Sequence, residues 1–197
     1  MTKFETLDQI LHKNNGFIKT SEAVKGQVSK VYFAVYVKER GLERAAHGLY
    51  MSRAVEGDDL YVIQARYPKA VFSHETAGYL MNPGKRKPVH ISVTLKAGSN
   101  AMGLSSQGIK VYKVKDERFE TGIVQVISPA GHGIRTYNTE RTLCDLIRSR
   151  RRIEIHYLQA AMHEYVRMKE KNIPLLMQYA RMFSVEKKLH QYFEMIL

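Results

Sequence analysis

The chain has 197 residues, with 31 Lys/Arg against 19 Asp/Glu and one cysteine. This length suits one large domain or two small ones, and the net charge of +12 is unusual for a cytosolic enzyme and favours a polyanionic partner. The single cysteine, Cys144, excludes an intrachain disulfide and any cysteine-rich zinc site.

The charge is spread along the chain. Residues 1–55 hold nine Lys/Arg against five Asp/Glu, a net charge of +4, which leaves +8 for the remainder. No apolar run approaches the roughly 18–20 residues that span a bilayer, and the N-terminal sequence MTKFETLDQI has no apolar signal-peptide core. These features predict a cytoplasmic protein without a membrane partner, with a membrane-surface role for the basic charge as the alternative.

The first predicted element is a helix at residues 3–13, where apolar residues recur at helical spacing before the stop signal of residues 14–16, NNG. A second, short helix follows, with Thr20 and Ser21 as N-cap residues and Gly26 at its end. Ser29 is the predicted N-cap of a third helix.

Gly41 ends this third helix, and two short β-like runs, residues 42–46 and 49–51, then flank a tight turn at His47-Gly48. Helix, turn, helix and hairpin in this order predict an N-terminal winged helix-turn-helix, in which the helix after Ser29 enters the DNA major groove. Similar spacing also occurs in helical domains that bind no DNA.

The helix after Ser29 has two different faces at 100° per residue. The face expected to pack on the preceding helices carries Phe33, Tyr36 and Val37. The opposite face lies near Val31, Val35 and Lys38. The predicted DNA contacts, on this helix, beside it and on the wing, are Lys19, Ser29, Lys30, Lys38, Arg44 and His47. The alternative is that these are ordinary solvated side chains.

The polar residues 52–58 predict a boundary between a DNA-binding domain, 1–55, and a second domain, 56–197. The second domain is predicted to contain helices at 58–66 and 74–81, a basic turn at 83–88, and strands at 89–95, 109–115, 124–127 and 134–137, with a flexible loop at 96–108. Helices are then predicted at 142–150, 155–169, 174–182 and 184–197. The fold class is α+β: a winged helix-turn-helix, a small, mostly antiparallel sheet and a helical C-terminal end.

Searches for catalytic chemistry give no candidate. The chain lacks phosphate-binding glycine motifs, His74-Glu75 lacks the second histidine of the zinc-protease helix, and the predicted strands lack the clustered carboxylates that would hold Mg²⁺. Glu75 and Asp145 are interpreted as ordinary carboxylates on helices, and Cys144 as a small core residue. The sequence therefore predicts no catalytic residue, no metal site and no cofactor.

Three segments together resemble the AbiEi family of antitoxins from the type IV AbiE toxin–antitoxin systems, which act in bacterial abortive infection and phage resistance. They are residues 48–51 (GLYM), 66–77 (RYPKAVFSHETA) and 140–148 (ERTLCDLIR), and their order covers essentially the whole chain. The resemblance implies a protein whose N-terminal domain binds inverted repeats of double-stranded DNA in its own promoter and represses the operon.

The resemblance also implies that the C-terminal domain neutralises a nucleotidyltransferase-like toxin and need not form a stable complex with it. We expect a monomer or weak dimer, since paired half-sites can be filled by a dimer or by monomers that meet on DNA. The predicted antitoxin surface is the cluster Arg148, Arg150, Arg151 and Arg152. These arginines could equally serve only helix-dipole stabilisation and solubility. Two other functions stay open: a transcription factor with a ligand-sensing C-terminal domain, and a nucleic-acid-modifying enzyme with a winged-helix targeting module.

Overall fold

The computed structural model describes residues 2–55, 57–82 and 86–195, which divide into two compact units. The first unit contains residues 1–68 and 127–134, and the second contains residues 69–126 and 135–197. The boundary predicted at residue 55 thus lies inside the first unit. Residues 83–85 of the predicted basic turn and residues 196–197 of the last predicted helix lie outside the described residues.

The first unit combines helices with a three-stranded antiparallel sheet, and most of its elements lie where the sequence predicts them. Its elements are α1 (Lys3–Lys13), β1 (Phe17–Lys19), α2 (Thr20–Lys25), α3 (Lys30–Glu39), β2 (Glu43–Ala46), β3 (Leu49–Met51) and α4 (Asp59–Arg66). The strand order is β1-β3-β2, and both pairings are antiparallel. Strand β1 was not predicted, because three residues are too few to show a strand period.

The helix caps of the first unit follow the sequence except at α2. Ser29 caps α3 as predicted, with its hydroxyl accepting from the Tyr32 amide at 3.3 Å. The N-cap of α2 is Lys19 rather than Thr20 or Ser21, and its amide donates to the Glu22 carboxylate at 2.9 Å. Lys19 is extended and paired with Leu49 of β3, and α2 begins at the next residue, Thr20.

The core of the first unit forms around α3. Phe33 and Tyr36 are buried as predicted and pack in one cluster with Leu7 and Ile18, while Val37 is partly buried against it. The Tyr36 hydroxyl donates to the Asp8 carboxylate of α1 at 2.8 Å. Burial and the adjacent carboxylate raise the pKa of this hydroxyl, so that it stays a donor.

A second cluster explains why the first unit extends beyond residue 55. Buried Phe17, Ala46 and Leu49 from the sheet pack against Tyr61 and other residues of α4. The apolar face of α4 thereby covers one face of the sheet, which would otherwise expose buried aromatic and aliphatic side chains. Helix α4, which the sequence assigned to the second domain, is part of the first unit's core.

Asp58 fixes the distant segment 127–134 within the first unit. Its buried carboxylate accepts hydrogen bonds from the Tyr61 amide at 3.0 Å and from the Ser128 hydroxyl, and lies 2.8 Å from Nδ1 of His132. The other ring nitrogen of His132 lies 3.2 Å from the carbonyl oxygen of Asn14. The His132 ring also stacks on Tyr61, with 4.4 Å between centroids.

The second unit is built on a five-stranded sheet in the order β6-β5-β4-β8-β7. Its strands are β4 (Val71–Phe72), β5 (Ser92–Lys96), β6 (Lys110–Val114), β7 (Ile123–Ile127) and β8 (Gly133–Tyr137). Its helices are α5 (His74–Met81), α6 (Met102–Ser105), α7 (Asp116–Phe119), α8 (Thr139–Arg148), α9 (Ile155–Arg167), α10 (Ile173–Met182) and α11 (Glu186–Glu194), and Arg150–Arg152 form a 3-10 turn. The α+β class is confirmed.

The prediction of a mostly antiparallel sheet is wrong, because the sheet is mixed. β4 pairs antiparallel with β5, but β5 pairs with β6 and β4 with β8 in parallel. The predicted flexible loop, residues 96–108, contains α6 with its buried Leu104. This loop forms a crossover that returns the chain to the starting end of the sheet, as a parallel pair requires.

A buried ion pair occupies the centre of the second unit. Arg141 is 0% exposed, and its Nε donates to the Asp145 carboxylate at 2.9 Å, one turn along α8. Its Nη1 donates to the carbonyl oxygens of Arg118 and Thr121 at 2.7 and 2.8 Å. The interpretation of Asp145 as an ordinary exposed carboxylate is therefore wrong, since it is a buried partner of Arg141.

The structure also bears on the state of the single cysteine and on the length of the helices. Cys144 is buried in the core, as predicted, and burial raises the pKa of its thiol to about 12. In the part of the chain that the structure describes, no helix is long and apolar enough to cross a membrane.

Replacing Phe33 by Ala is expected to destabilise the protein by about 3–5 kcal/mol, because a buried aromatic ring leaves a cavity. The matched control is Val31→Ala on the same helix, which is 78% exposed and should change stability by no more than about 0.5 kcal/mol. Chemical denaturation of both variants measures the difference. Equal stability of the two variants would contradict the assigned rotation of α3.

Replacing Asp145 by Ala is expected to cost about 3–5 kcal/mol, because it leaves the Arg141 guanidinium charged and uncompensated in the core. The double replacement Arg141→Met/Asp145→Leu should be more stable than Asp145→Ala, since it removes both charges. Glu170→Gln, at an exposed site, is the control. A double variant that is less stable than the single one would show that the arginine stabilises the core without its carboxylate.

Candidate functional site

A basic groove in the first unit brings together several predicted contact residues. It has a volume of about 970 Å³ and is lined, among others, by Lys19, Lys25, Lys30, Arg44 and His47. Four of the six residues predicted to contact DNA therefore line one surface. The other two, Ser29 and Lys38, are exposed but are not among the residues that line it.

The charge of this basic groove has one sign. Four of its lining residues carry a formal positive charge, and none of the described residues that line it is acidic. Closely spaced like charges are unfavourable in the free protein, and a bound anion relieves their repulsion. The groove therefore has the electrostatic character of a polyanion-binding surface.

Strand pairing sets one wall of the basic groove. Lys19 is paired with Leu49 in the β1–β3 register, and the next amide, that of Thr20, donates to the Gly48 carbonyl at 2.8 Å. The Lys19 ammonium lies 5.0 Å above the ring centroid of Tyr61, within cation–π range. The start of α2 is thereby fixed beside the tight turn between β2 and β3.

That turn presents Arg44 and His47 together. Gly48 has φ +67°, a conformation that glycine adopts without strain. Nη2 of Arg44 lies 3.0 Å from Nδ1 of His47. Because a guanidinium only donates, Nδ1 accepts this hydrogen bond, and the proton of a neutral imidazole lies on Nε2. The turn therefore offers guanidinium and imidazole N–H donors, the groups that bind phosphate oxygens.

Helix α3 has a continuous exposed face opposite its buried residues Phe33 and Tyr36. The exposed residues of this face are Lys30, Val31, Ala34, Val35 and Lys38. Only its first residue, Lys30, lines the basic groove. Because Phe33 and Tyr36 anchor the helix to the core, this face is held outward along the length of α3.

Sequence reasoning missed three kinds of groove residue. Lys25 is the last residue of α2, and its position before Gly26, the predicted helix end, could have indicated that it is exposed near the groove. Tyr61 and Gln64 belong to α4, which the sequence placed in the other domain. Gly133 comes from the distant segment 127–134, and no local pattern connects it with the groove.

The predicted antitoxin arginines lie in the second unit, where three of them contact that unit's own groups. Arg148 donates to the Lys113 carbonyl at 3.3 Å and Arg150 to the Ile147 carbonyl at 3.4 Å. The guanidinium of Arg152 lies 4.4 Å from the ring centroid of Tyr112, while Arg151 is exposed. Part of the cluster is therefore used in local structure, and the exposed parts of Arg148, Arg151 and Arg152 present its charge.

Two histidine clusters have the residue types of a hydrolase without its geometry. In the first unit, Ser128 and His132 both bond the Asp58 carboxylate, so the serine contacts the acid rather than the imidazole. In the second unit, the ring of His74 lies between the hydroxyls of Ser73 and Ser149, at 2.9 and 3.0 Å, and no carboxylate of the described residues is bonded to it. Burial, and then the positive charge of Arg148, lower the pKa of His74. Among the described residues, no group of three or more His, Cys, Asp or Glu is placed to hold a metal ion.

Comparison with known protein families and with curated proteins gives no match. Among solved structures, the chain is similar to the crystal structure of the RV2827C protein from Mycobacterium tuberculosis, with a TM-score of 0.56 and 9% sequence identity. The similarity covers 100% of this chain and 81% of that one. At this identity, the likeness concerns the fold.

Proposed function

We propose that the first unit is a winged helix-turn-helix DNA-binding domain. The observation that carries this proposal is the element order α1-β1-α2-α3-β2-β3 together with the sheet order β1-β3-β2. In a winged helix-turn-helix, α3 is the recognition helix that enters the major groove, and β2 and β3 form the wing. The exposed face of α3 leaves that helix available for such a contact.

The basic groove supports the same function. It combines lysines from α2 and α3 with Arg44 and His47 of the wing, and none of its described lining residues is acidic. Most hydrogen bonds between proteins and DNA go to the phosphate backbone, which positions the recognition helix. Lys19, Lys30, Arg44 and His47 would contact phosphates along the groove, Lys38 would contact a phosphate beyond the other end of α3, and Ser29 would lie beside Lys30.

The wider function we propose is that of an antitoxin of the AbiEi type. The protein would repress its own operon by binding inverted repeats in the promoter and would neutralise a nucleotidyltransferase-like toxin, without requiring a stable complex with it. The resemblance of residues 48–51, 66–77 and 140–148 supports this proposal. We assign neutralisation to the second unit and its arginine cluster, and expect a monomer or weak dimer that meets the DNA as paired copies.

A ligand-sensing transcription factor is the second candidate. A pocket in the second unit, of about 420 Å³, favours it. Its lining includes Tyr157 and the ion pair between Glu75 and Lys110, which are 3.3 Å apart. A pocket of this size accommodates a small molecule. A metabolite that released the protein from its promoter without any effect on toxin rescue would favour this second function.

Replacing Lys30, Lys38 and Arg44 together by Ala is expected to weaken binding to the promoter duplex strongly and to flatten its salt dependence. Each lost phosphate contact lowers the slope of log affinity against log salt by about 0.9, so three contacts lower it by roughly 2–3. Fluorescence anisotropy with a labelled duplex over a series of salt concentrations measures both quantities.

The control removes three positive charges elsewhere, by Lys13→Ala, Lys115→Ala and Lys187→Ala, at exposed positions. Both triple variants have the same net charge, so a difference between them reports the location of the contacts rather than overall attraction. Equal salt slopes for the two would contradict the proposed interface. Full-length protein is required, because a truncation at residue 55 removes α4 and residues 127–134 from the first unit.

Replacing Arg148, Arg150, Arg151 and Arg152 together by Gln is expected to abolish rescue from the toxin while leaving operon repression intact. The reason is that these residues lie in the second unit, whereas the basic groove lies in the first. Cell growth under toxin expression and a promoter–reporter fusion measure the two functions separately.

The matched control for this cluster changes four exposed basic residues of the same unit, Lys115, Arg167, Lys169 and Lys187, to Gln. Arg152 packs over Tyr112, so its replacement could disturb the fold. Circular dichroism therefore checks that both variants are folded. Joint loss of rescue and repression would indicate one shared nucleic-acid surface. Retention of both would remove the cluster from the proposed mechanism.

A further inference from the structure

The exposed face of α3 is apolar at its centre. Val31 is 78% exposed and Val35 48% exposed, and exposed Ala34 lies between them. The three residues follow the spacing i, i+3, i+4, which places them side by side on one face of the helix. We call them the methyl stripe, because their side chains end only in methyl groups.

The groups around the methyl stripe identify what would cover it. Lys30 and Lys38 flank it at the two ends, and Lys30 also lines the basic groove. The one acidic residue of α3, Glu39, is exposed at the last position of the helix, outside the stripe. A surface with positive charge on its margins and small apolar groups at its centre complements a DNA major groove, where phosphates form the rims and base edges the floor. The stripe lacks the aromatic or arginine side chains that dominate protein–protein contacts.

The stripe also limits how bases can be read. The exposed face of α3 carries no Asn, Gln or Arg, and the lysines that could reach guanine, Lys30 and Lys38, lie at its two ends rather than at its centre. Ser29 uses its hydroxyl as the helix cap, and Arg40 is bound to Asp8 of α1. The one apolar group that base pairs present in the major groove is the C5-methyl group of thymine.

We propose that Val31, Ala34 and Val35 recognise thymine C5-methyl groups, so that the preferred binding site carries A·T pairs opposite α3. This inference rests on the proposed DNA binding and names the feature of the DNA that the domain selects. Lys30 and Lys38 bind the backbone on either side, and the methyl stripe supplies the sequence preference. Burial of one methyl group corresponds to about fourfold in affinity, or ~0.8 kcal/mol.

The test uses the full-length protein and a duplex selected by it from a randomised pool. Thymines in the selected site are then replaced one at a time by deoxyuridine, which removes the methyl group and keeps the base-pairing atoms. We expect affinity to fall about fourfold at each contacted thymine. The variant Val31→Ala/Val35→Ala should show a smaller preference for thymine over deoxyuridine, since it loses the two Cγ methyl groups of each valine and keeps only the shorter alanine side chains.

The double variant keeps a good helix former at both positions, and Val89→Ala, at an 87% exposed valine of the second unit, is the matched control. This control should keep the full preference for thymine. Because both proteins meet the same two duplexes, any effect of deoxyuridine on DNA shape alone appears equally in both.

Several results would overturn the proposal. Equal binding of thymine and deoxyuridine duplexes by the unaltered protein would refute methyl recognition while leaving DNA binding intact. An unchanged thymine preference in Val31→Ala/Val35→Ala would move recognition to other residues. A dimer that depends on Val31 and Val35 in sedimentation, without a methyl effect, would make the stripe a protein interface. Absence of binding to every duplex at low salt would instead refute the proposed DNA-binding function itself.

Discussion

The second unit depends on a charge placed where an apolar side chain would be expected. The Arg141 guanidinium lies between the rings of Tyr137 and Phe183, with centroid distances of 4.3 and 4.0 Å, and bonds Asp145 and the carbonyl of Thr121. A planar cation with several donors can join a helix, a strand end and a loop at one point, whereas an aliphatic side chain would only fill the volume. Among the described residues, Nη2 of Arg141 is buried without a hydrogen-bond partner, so the loss of a further acceptor would leave the buried charge still less compensated.

The first unit uses a buried carboxylate for a similar purpose and leaves a different surface free. Asp58 gathers an amide, a hydroxyl and an imidazole, and so holds residues 127–134 next to α4. Helix α3 is anchored mainly by the apolar packing of Phe33 and Tyr36, and the Asp8 carboxylate of α1 also accepts hydrogen bonds from Tyr36 and Arg40. The opposite face of α3 does not pack against the core, so it presents charged groups and methyl groups to solvent.

Sequence patterns predicted the helices and turns that are determined by residues close together in the chain. Spacing of apolar residues and the Ser29 cap located α1 and α3, and the His47-Gly48 turn located the hairpin of β2 and β3, so four groove residues could be proposed from the sequence. Long-range pairing could not be read this way. The parallel pairs β5–β6 and β4–β8, the burial of Asp145 and the contribution of Gly133 to the groove all depend on partners far along the chain. A carboxylate on a helix also has the same sequence pattern whether its partner is water or a buried arginine.

The separation between Asp58 and its partner His132, 74 residues along the chain, has a consequence for the order of events during synthesis. At about 5–20 residues per second, a ribosome takes roughly 4–15 s to add the intervening chain. During this interval α1 to α4 have emerged without the segment that completes their unit, and Asp58 has only water and its own helix as partners. Residues 1–68 therefore lack part of their final packing until residues 127–134 have been synthesised. Closing the long loop between Asp58 and His132 carries an entropic cost, which the hydrogen bonds and ring stacking of the finished cluster offset.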